Sequence, residues 1–166
     1  RLVGSEMCIR DRLSLPVRFN ITLVAIRKIQ RMRMLNMKKE QQVSEDYVKS
    51  LHIATPSINQ RVVYLSGGNQ QKVVVAKWLF SDSEIVILDE PTRGIDVGAK
   101  REIYEIINRL ASEGKAVIVV SSEMEEVMGI SDRIIVMREG EVAGTVERKD
   151  FSQQRITEYA VGGTAS

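Results

Sequence analysis

The stretch LSGGNQQKVVVAKWLFSDSEIVILDEPTRGIDVGAK, residues 65–100, carries most of the fold information in this chain of 166 residues. It opens with a glycine turn, for which Ser66 is the candidate N-cap, and continues as a helix to about Phe80. Residues 83–88 (SEIVIL) contain a short β-branched run without polar alternation, which is typical of a strand buried on both faces of a parallel sheet. Asp96 then caps a second helix with apolar residues at helical spacing.

The remaining part of the chain downstream continues this alternation. Residues 116–120 and 134–137 predict strands, residues 123–128 a short helix, and residues 141–146 a strand that returns after a tight turn. A last helix is expected over residues 152–159. The order βαβαββ favours an α/β domain with a largely parallel sheet and a terminal antiparallel pair.

Upstream of the glycine turn the pattern is mostly helical. Residues 13–53 contain strong helix formers, and the methionines at 32, 34 and 37 are interpreted as helix packing residues. Residues 1–12 (RLVGSEMCIRDR) show neither a helical nor a strand period. They resemble the spurious end of a truncated gene call, so we interpret them as a non-native or disordered tail that takes no part in the fold.

Composition restricts the function classes. A single cysteine excludes an internal disulfide, and a single histidine with no cysteine neighbours argues against a metal cluster. Residues 1–40 contain ten Lys and Arg against three acids. The basic run over residues 27–39 fits either a solvated helix face or a contact with nucleic acid or anionic lipid, and the lack of interleaved aromatics favours the solvated face.

Two features of the sequence could take part in binding or catalysis. Asp89 and Glu90 follow a buried strand and so lie at the carboxyl edge of the sheet, where one carboxylate could hold Mg²⁺ and the next could orient a water. Acids also simply solvate strand ends. The SGGNQQ turn presents backbone N–H groups at a helix start, which suits a phosphate, although glycines in a plain capping turn have the same appearance.

Together these segments resemble the ATP-binding cassette (ABC) family. LSGGNQQK is similar to its signature, IVILDE to its Walker B strand and GID to its D-loop. The NQQK ending, DEPTRGIDVGAK and SSEMEEVMGISDRIIVM resemble the tandem-cassette ATPases of ribose, galactose and xylose type importers, over residues 13–162. The resemblance implies the C-terminal part of the second cassette.

The fold that the resemblance implies is a partial P-loop NTPase of α/β class. It consists of a helical subdomain, a mostly parallel sheet and C-terminal antiparallel strands, and it lacks the P-loop strand. Residues 13–64 would be part of the helical subdomain, residues 65–149 the signature helix with the Walker B half of the ATPase core, and residues 150–166 a C-terminal helix and tail.

Five residues are implied to contact ATP in trans. Ser66, Gly67 and Gly68 would contact the γ-phosphate of ATP held by an opposing cassette, and Asn69 and Gln70 would extend that turn. The implied partner is the first cassette of the same parent chain or a dimer mate.

Four further positions carry implied roles. Asp89 would be the Mg²⁺ carboxylate, Glu90 occupies the catalytic-base position and Asp96 is the D-loop residue. Ser122 stands where many cassettes place a switch histidine, a departure similar to the degenerate second site of the tandem importers.

The sequence contains no G-x-x-x-x-G-K-[ST] loop. We therefore expect negligible ATPase activity from the chain alone, with ATP and Mg²⁺ as cofactors only in the parent. Loss of the P-loop strand is expected to leave an unpaired apolar edge beside the Walker B strand, which would favour aggregation.

The implied function is coupling of ATP hydrolysis to carbohydrate uptake at the cytoplasmic face of the plasma membrane. Transmembrane permease subunits would be partners, a periplasmic sugar-binding protein would act indirectly, and nucleic acid would not bind. The alternatives are an ABC ATPase that acts on ribosomes or DNA, and a non-functional truncated gene product.

Overall fold

The computed structural model describes the backbone of residues 2–4 and all of residues 13–162. The chain divides into two compact units, Arg1–Val120 and Ser121–Ser166. Their boundary falls inside the stretch 65–149, which the sequence predicts as one region. The subdivision at 64/65 and 149/150 stays a prediction.

The first unit combines helices with a three-stranded sheet. Its elements are β1 Leu2–Gly4, α1 Val17–Thr22, a 3₁₀ segment Leu23–Ile29, β2 Gln30–Arg31, β3 Met34–Leu35, α2 Met37–Ser50, a 3₁₀ turn Val62–Tyr64, α3 Gly67–Ser81, β4 Ile85–Asp89, α4 Val97–Ser112 and β5 Ala116–Val120.

The sheet of the first unit has the order β1-β4-β5, and both pairings are parallel. The expectation that residues 1–12 take no part in the fold is wrong for Leu2–Gly4, whose backbone pairs with Ile87–Asp89. Residues 5–12 lie outside the described part of the chain. The expected open edge of the Walker B-like strand is also wrong, because β4 has a neighbour on each side.

Burial of β4 and β5 is one-sided. Val86 and Leu88 are buried, whereas Ile85, Ile118 and Val120 are each about half exposed. The prediction of a strand buried on both faces is therefore wrong: the apolar run Ile85–Leu88 specified the strand, but only one face of the sheet is covered by the described residues.

Helix α4 follows its sequence pattern closely. Its buried residues are Ile103, Ile106, Ile107 and Leu110, the predicted i, i+3, i+4, i+7 stripe. Glu113 is the C-cap, and Gly114 follows with a φ of 84°, a conformation that glycine adopts without strain.

A short hairpin precedes α2, so the mostly helical pattern expected over residues 13–53 is wrong for residues 30–35. The 3₁₀ segment breaks at Ala25, with a φ of −133°, and its last residue, Ile29, is fully buried. The carbonyl of Ile29 accepts the N–H of Asn36 at 2.9 Å, which closes the hairpin at its base. Tertiary anchoring has overridden helix propensity.

The second unit contains α5 Met124–Ile130, β6 Arg133–Arg138, β7 Glu141–Glu147 and α6 Gln153–Val161. Strands β6 and β7 pair antiparallel, as the sequence predicted. Ile134, Val136, Val146 and Ile156 form its buried core. Among the described residues of either unit, no helix has the length and apolar character needed to cross a membrane.

Candidate functional site

The glycine turn lies at the start of α3, as predicted. Ser66 is the N-cap residue, with extended backbone, but its hydroxyl does not cap the helix. The hydroxyl instead accepts a hydrogen bond from Asn69 Nδ2 at 2.8 Å. No acidic residue lies in the first turn. The first N–H groups of a helix lack intrahelical partners and carry positive potential, so this turn suits an anion.

The turn shares an open cleft with the start of α4. The cleft has a volume of about 300 Å³. Its lining residues are Ser66, Gly68, Asn69, Asp96, Gly98, Ala99 and Glu102. The structure thus brings the predicted signature and D-loop residues together, although Ser66 and Asp96 are 30 positions apart in sequence.

The two glycines of the turn differ in their surroundings. A Cβ atom added at Gly67 would lie 3.4 Å from the Ile95 side chain, an ordinary contact. A Cβ atom added at Gly68 would lie 2.6 Å from the Cβ of Ala99, closer than real Cβ atoms approach. Gly68 is therefore required for the close approach of α3 to α4, a role that was not evident from the sequence.

Asn69 and Gln70 hold the turn from within the chain. Asn69 Oδ1 accepts the N–H of Ala54 at 2.8 Å, while its Nδ2 donates to Ser66. Gln70 Nε2 donates to the carbonyl of Leu65 at 2.9 Å. Their predicted contact with ATP stays a prediction; the observed geometry gives both side chains the role of positioning Ser66 and its neighbours.

Lys72 is a central residue that sequence reasoning missed. Its side chain is only 4% exposed, and its Nζ lies 2.6 Å from Glu102 Oε2 on α4 and 2.9 Å from the carbonyl of His52. His52 has a φ of 50°, at the C-terminal end of α2, where a cation is favoured by the helix dipole. Lys72 therefore joins α2, α3 and α4. No local sequence signal separates it from a surface lysine.

Replacing Lys72 with methionine is expected to lower the free energy of unfolding by about 1–2 kcal/mol, because the His52 carbonyl loses a charge-assisted hydrogen bond. Glu102→Gln is the matched control. We expect it to cost less than about 1 kcal/mol, since Glu102 is half exposed and water screens the pair. Urea denaturation of both variants measures the difference; equal losses would show that the ion pair, and not the carbonyl bond, dominates.

Asp89 and Glu90 lie at the carboxyl edge of the sheet, as predicted. Asp89 ends β4 and is partly buried. Glu90 follows with a φ of 46°, and its N–H donates to the carbonyl of Val120 at 2.8 Å. A left-handed backbone at a non-glycine residue costs about 1–3 kcal/mol and is common at functional sites.

The described residues contain no group of three or more His, Cys, Asp or Glu that could hold a metal ion. A dedicated protein cage is therefore not offered by this part of the chain. Mg²⁺ is commonly held by one or two carboxylates together with substrate phosphates and water. A single carboxylate such as Asp89 fits that mode, with the remaining ligands supplied by nucleotide and solvent.

Asp96 is the N-cap of α4, as predicted, and its Oδ1 accepts the N–H of Ala99 at 2.9 Å. Asp96→Ala is expected to lower the free energy of unfolding by about 1 kcal/mol, because one helix N–H loses its partner. Asp96→Asn keeps a hydrogen-bond acceptor, so it should lower the free energy of unfolding by only a few tenths of a kcal/mol. Thermal denaturation of both variants is the measurement, and an unchanged alanine variant would contradict the capping role.

Ser122 lies in the second unit, exposed, just before α5. Its neighbour Ser121 organises this turn: the Ser121 hydroxyl accepts the N–H of Glu123 at 3.0 Å and donates to Glu126. A hydroxyl at position 122 lacks the imidazole that accepts and releases a proton near neutral pH.

The sequence profile of the family described as ABC transporter matches residues 4–93. The ribose import ATP-binding protein RbsA of Clostridium tetani is 50% identical over 150 residues, which are 90% of this chain and 30% of that protein. The xylose import ATP-binding protein XylG of Geobacillus kaustophilus is 49% identical over 144 residues, 87% of this chain and 29% of that protein. The chain thus spans about 30% of the length of these curated relatives.

Solved structures agree on the fold. A dimeric post-hydrolysis structure of the ATP-binding cassette MJ0796, bound to ADP and Pi, matches with a TM-score of 0.70 at 23% identity, over 84% of this chain and 61% of that one. The ADP conformation of the cassette MJ1267 matches with a TM-score of 0.72 at 17% identity, over 92% of this chain and 65% of that one. With the predicted partial α/β cassette confirmed and the profile matching more than half of the sequence, the chain belongs to the ABC transporter family.

Proposed function

We propose that this chain is part of the ATP-binding subunit of a sugar importer and supplies the signature half of a composite ATP site. The observation that carries the proposal is the cleft in which the first turns of α3 and α4 meet. Ser66 lines this cleft and is exposed, and the next residue, Gly67, is exposed as well, so a phosphate bound by another cassette can reach their N–H groups.

The charges around the cleft support this role. The first turns of α3 and α4 both lack acidic residues, and two helix N-termini contribute positive potential. The two carboxylates at the cleft have partners within the chain: Glu102 pairs with Lys72, and Asp96 accepts the Ala99 N–H. Repulsion of an incoming phosphate is therefore reduced.

In the proposed mechanism, Asp89 is the Mg²⁺ carboxylate and Glu90 occupies the catalytic-base position beside it. When bound, Mg²⁺ would neutralise charge on the transferred phosphoryl group. The sequence of this chain has no G-x-x-x-x-G-K-[ST] loop, so both carboxylates depend on a phosphate loop from elsewhere in the assembly. Asp89, Glu90 and Ser122 belong to this chain's own site, which differs from the site that Ser66 and Gly67 complete in trans. With Ser122 at the switch position of the chain's own site, we infer that hydrolysis occurs at the site completed by Ser66 and Gly67.

The proposed partners are a first cassette or dimer mate, which holds the ATP, and the transmembrane permease subunits that closure of the cassettes would drive. A periplasmic sugar-binding protein would act through the permease. The chain would then lie peripherally at the cytoplasmic membrane face. Its named relatives are import proteins, which gives no support to a ribosome- or DNA-acting ATPase.

A chimaera tests the proposal. Residues 13–162 would replace the matching stretch of the Clostridium tetani relative, and ATP-dependent ribose uptake would be measured in cells that lack their own importer. We expect the chimaera to restore uptake, and the relative with that stretch deleted to fail. A chimaera that is expressed and assembled with its permease, yet neither hydrolyses ATP nor supports uptake, would contradict the proposal.

A further inference from the structure

The hairpin of β2 and β3, with the residues that flank it, forms a surface of unusual composition, which we call the basic hairpin (residues 27–39). This stretch contains no acid and six cations. They are Arg27, Lys28, Arg31, Arg33, Lys38 and Lys39. All six are exposed.

These cations are largely uncompensated. Lys28 Nζ lies 3.7 Å from Asp82 Oδ2, a contact between exposed groups. Within residues 13–162, no ion pair is formed by the other five cations of the basic hairpin. The surface therefore carries a local positive potential, although the whole chain has a net charge of only +2.

Apolar side chains project from the same surface. Met32 is 87% exposed, Met34 71% and Met37 51%. The interpretation of these methionines as helix packing residues is wrong for this structure. These side chains are exposed to water and so gain no hydrophobic stabilisation here. Because they are flexible and unbranched, they can pack into a fluid apolar environment.

The backbone at the hairpin tip adopts a costly conformation. Met32 and Arg33 have φ values of 51° and 65°, a turn normally made by Asn-Gly because both residues are left-handed. Non-glycine side chains are costly there. The tip nevertheless carries one long apolar and one long cationic side chain.

We propose that the basic hairpin docks on an anionic phospholipid bilayer. Its arginines and lysines would contact lipid phosphates, and Met32 and Met34 would enter the boundary between headgroups and acyl chains. Nucleic acid fits less well, since residues 27–39 contain no aromatic side chain on which a base could stack. This surface is separate from the cleft at α3 and α4, so the inference does not depend on the proposed ATP site.

Vesicle binding of the 166-residue chain tests the proposal. The purified protein would be sedimented with vesicles of phosphatidylcholine alone, and with vesicles of phosphatidylcholine mixed with phosphatidylglycerol. We expect binding only to the mixed vesicles, and weaker binding at high salt. Arg31→Gln/Arg33→Gln and Met32→Ser/Met34→Ser should each lower the affinity at least about tenfold.

The control is Arg101→Gln/Lys149→Gln, which removes two exposed cations elsewhere. It should bind mixed vesicles like the unmodified chain, and circular dichroism should show that all variants fold. Equal losses in the control and the hairpin variants would reduce the effect to net charge and overturn the proposal. So would an absence of vesicle binding, or a hairpin-dependent affinity for RNA or DNA that exceeds that for vesicles.

Discussion

Gly67→Asp is expected to lower ATP hydrolysis by the chimaera about a hundredfold, the scale of losing one preorganised donor to a phosphoryl group. A carboxylate at this position would stand where the proposed phosphate binds, and it would repel that phosphate. The fold should tolerate the change, because a Cβ at Gly67 meets only an ordinary contact with Ile95 and an acid is favourable in the first turn of a helix. Steady-state ATPase measurements give the result.

Gly67→Asn is the matched control, since it has the same shape without the charge. We expect it to retain clearly more activity than the aspartate variant, with both variants unfolding at similar urea concentrations. Equal activities would show that steric filling, and not charge, is responsible. Near-normal hydrolysis by Gly67→Asp would contradict the placement of a phosphate at this turn.

Gly68→Ala is expected to destabilise the chain by about 2–3 kcal/mol, the upper range for overpacking. The added Cβ would lie 2.6 Å from the Cβ of Ala99, so α3 and α4 must separate. Substitutions at Gly68 therefore alter the fold as well as any phosphate contact. Urea denaturation measures the loss.

The compensating change provides the control for this prediction. Ala99→Gly removes the atom that the new Cβ would meet. The double variant Gly68→Ala/Ala99→Gly should therefore recover most of the stability lost in Gly68→Ala, so that its loss is smaller than the sum of the two single losses. Gly67→Ala, with room for its Cβ, should cost less than Gly68→Ala. Additive losses in the double variant would contradict a steric cause.

Local patterns predicted the helices of the site well. Ser66 and Asp96 were both expected at N-cap positions, and both occupy them, because the residues that follow each cap define the helix start within one turn. The buried stripe of α4 was equally predictable from its spacing. The resemblance then linked the two helix starts in function, and the structure brings them to one cleft.

Features that depend on distant contacts were not predictable. Leu2–Gly4 has no strand pattern of its own, and its pairing depends on β4, more than 80 positions later. The turn at Met32 and Arg33 uses residues that normally avoid left-handed backbone. Lys72 is indistinguishable in sequence from a surface lysine until α2 and α4 enclose it.

The most direct test is the accessibility of position 66 in the working site. Ser66 is exposed at the cleft edge, so a Ser66→Cys variant of the chimaera should react readily with a thiol reagent in the absence of nucleotide. If Ser66 closes over the phosphate of an opposing cassette, trapping ATP in the chimaera should slow this labelling strongly. Labelling at an unchanged rate in a variant that still binds and hydrolyses ATP would contradict the account.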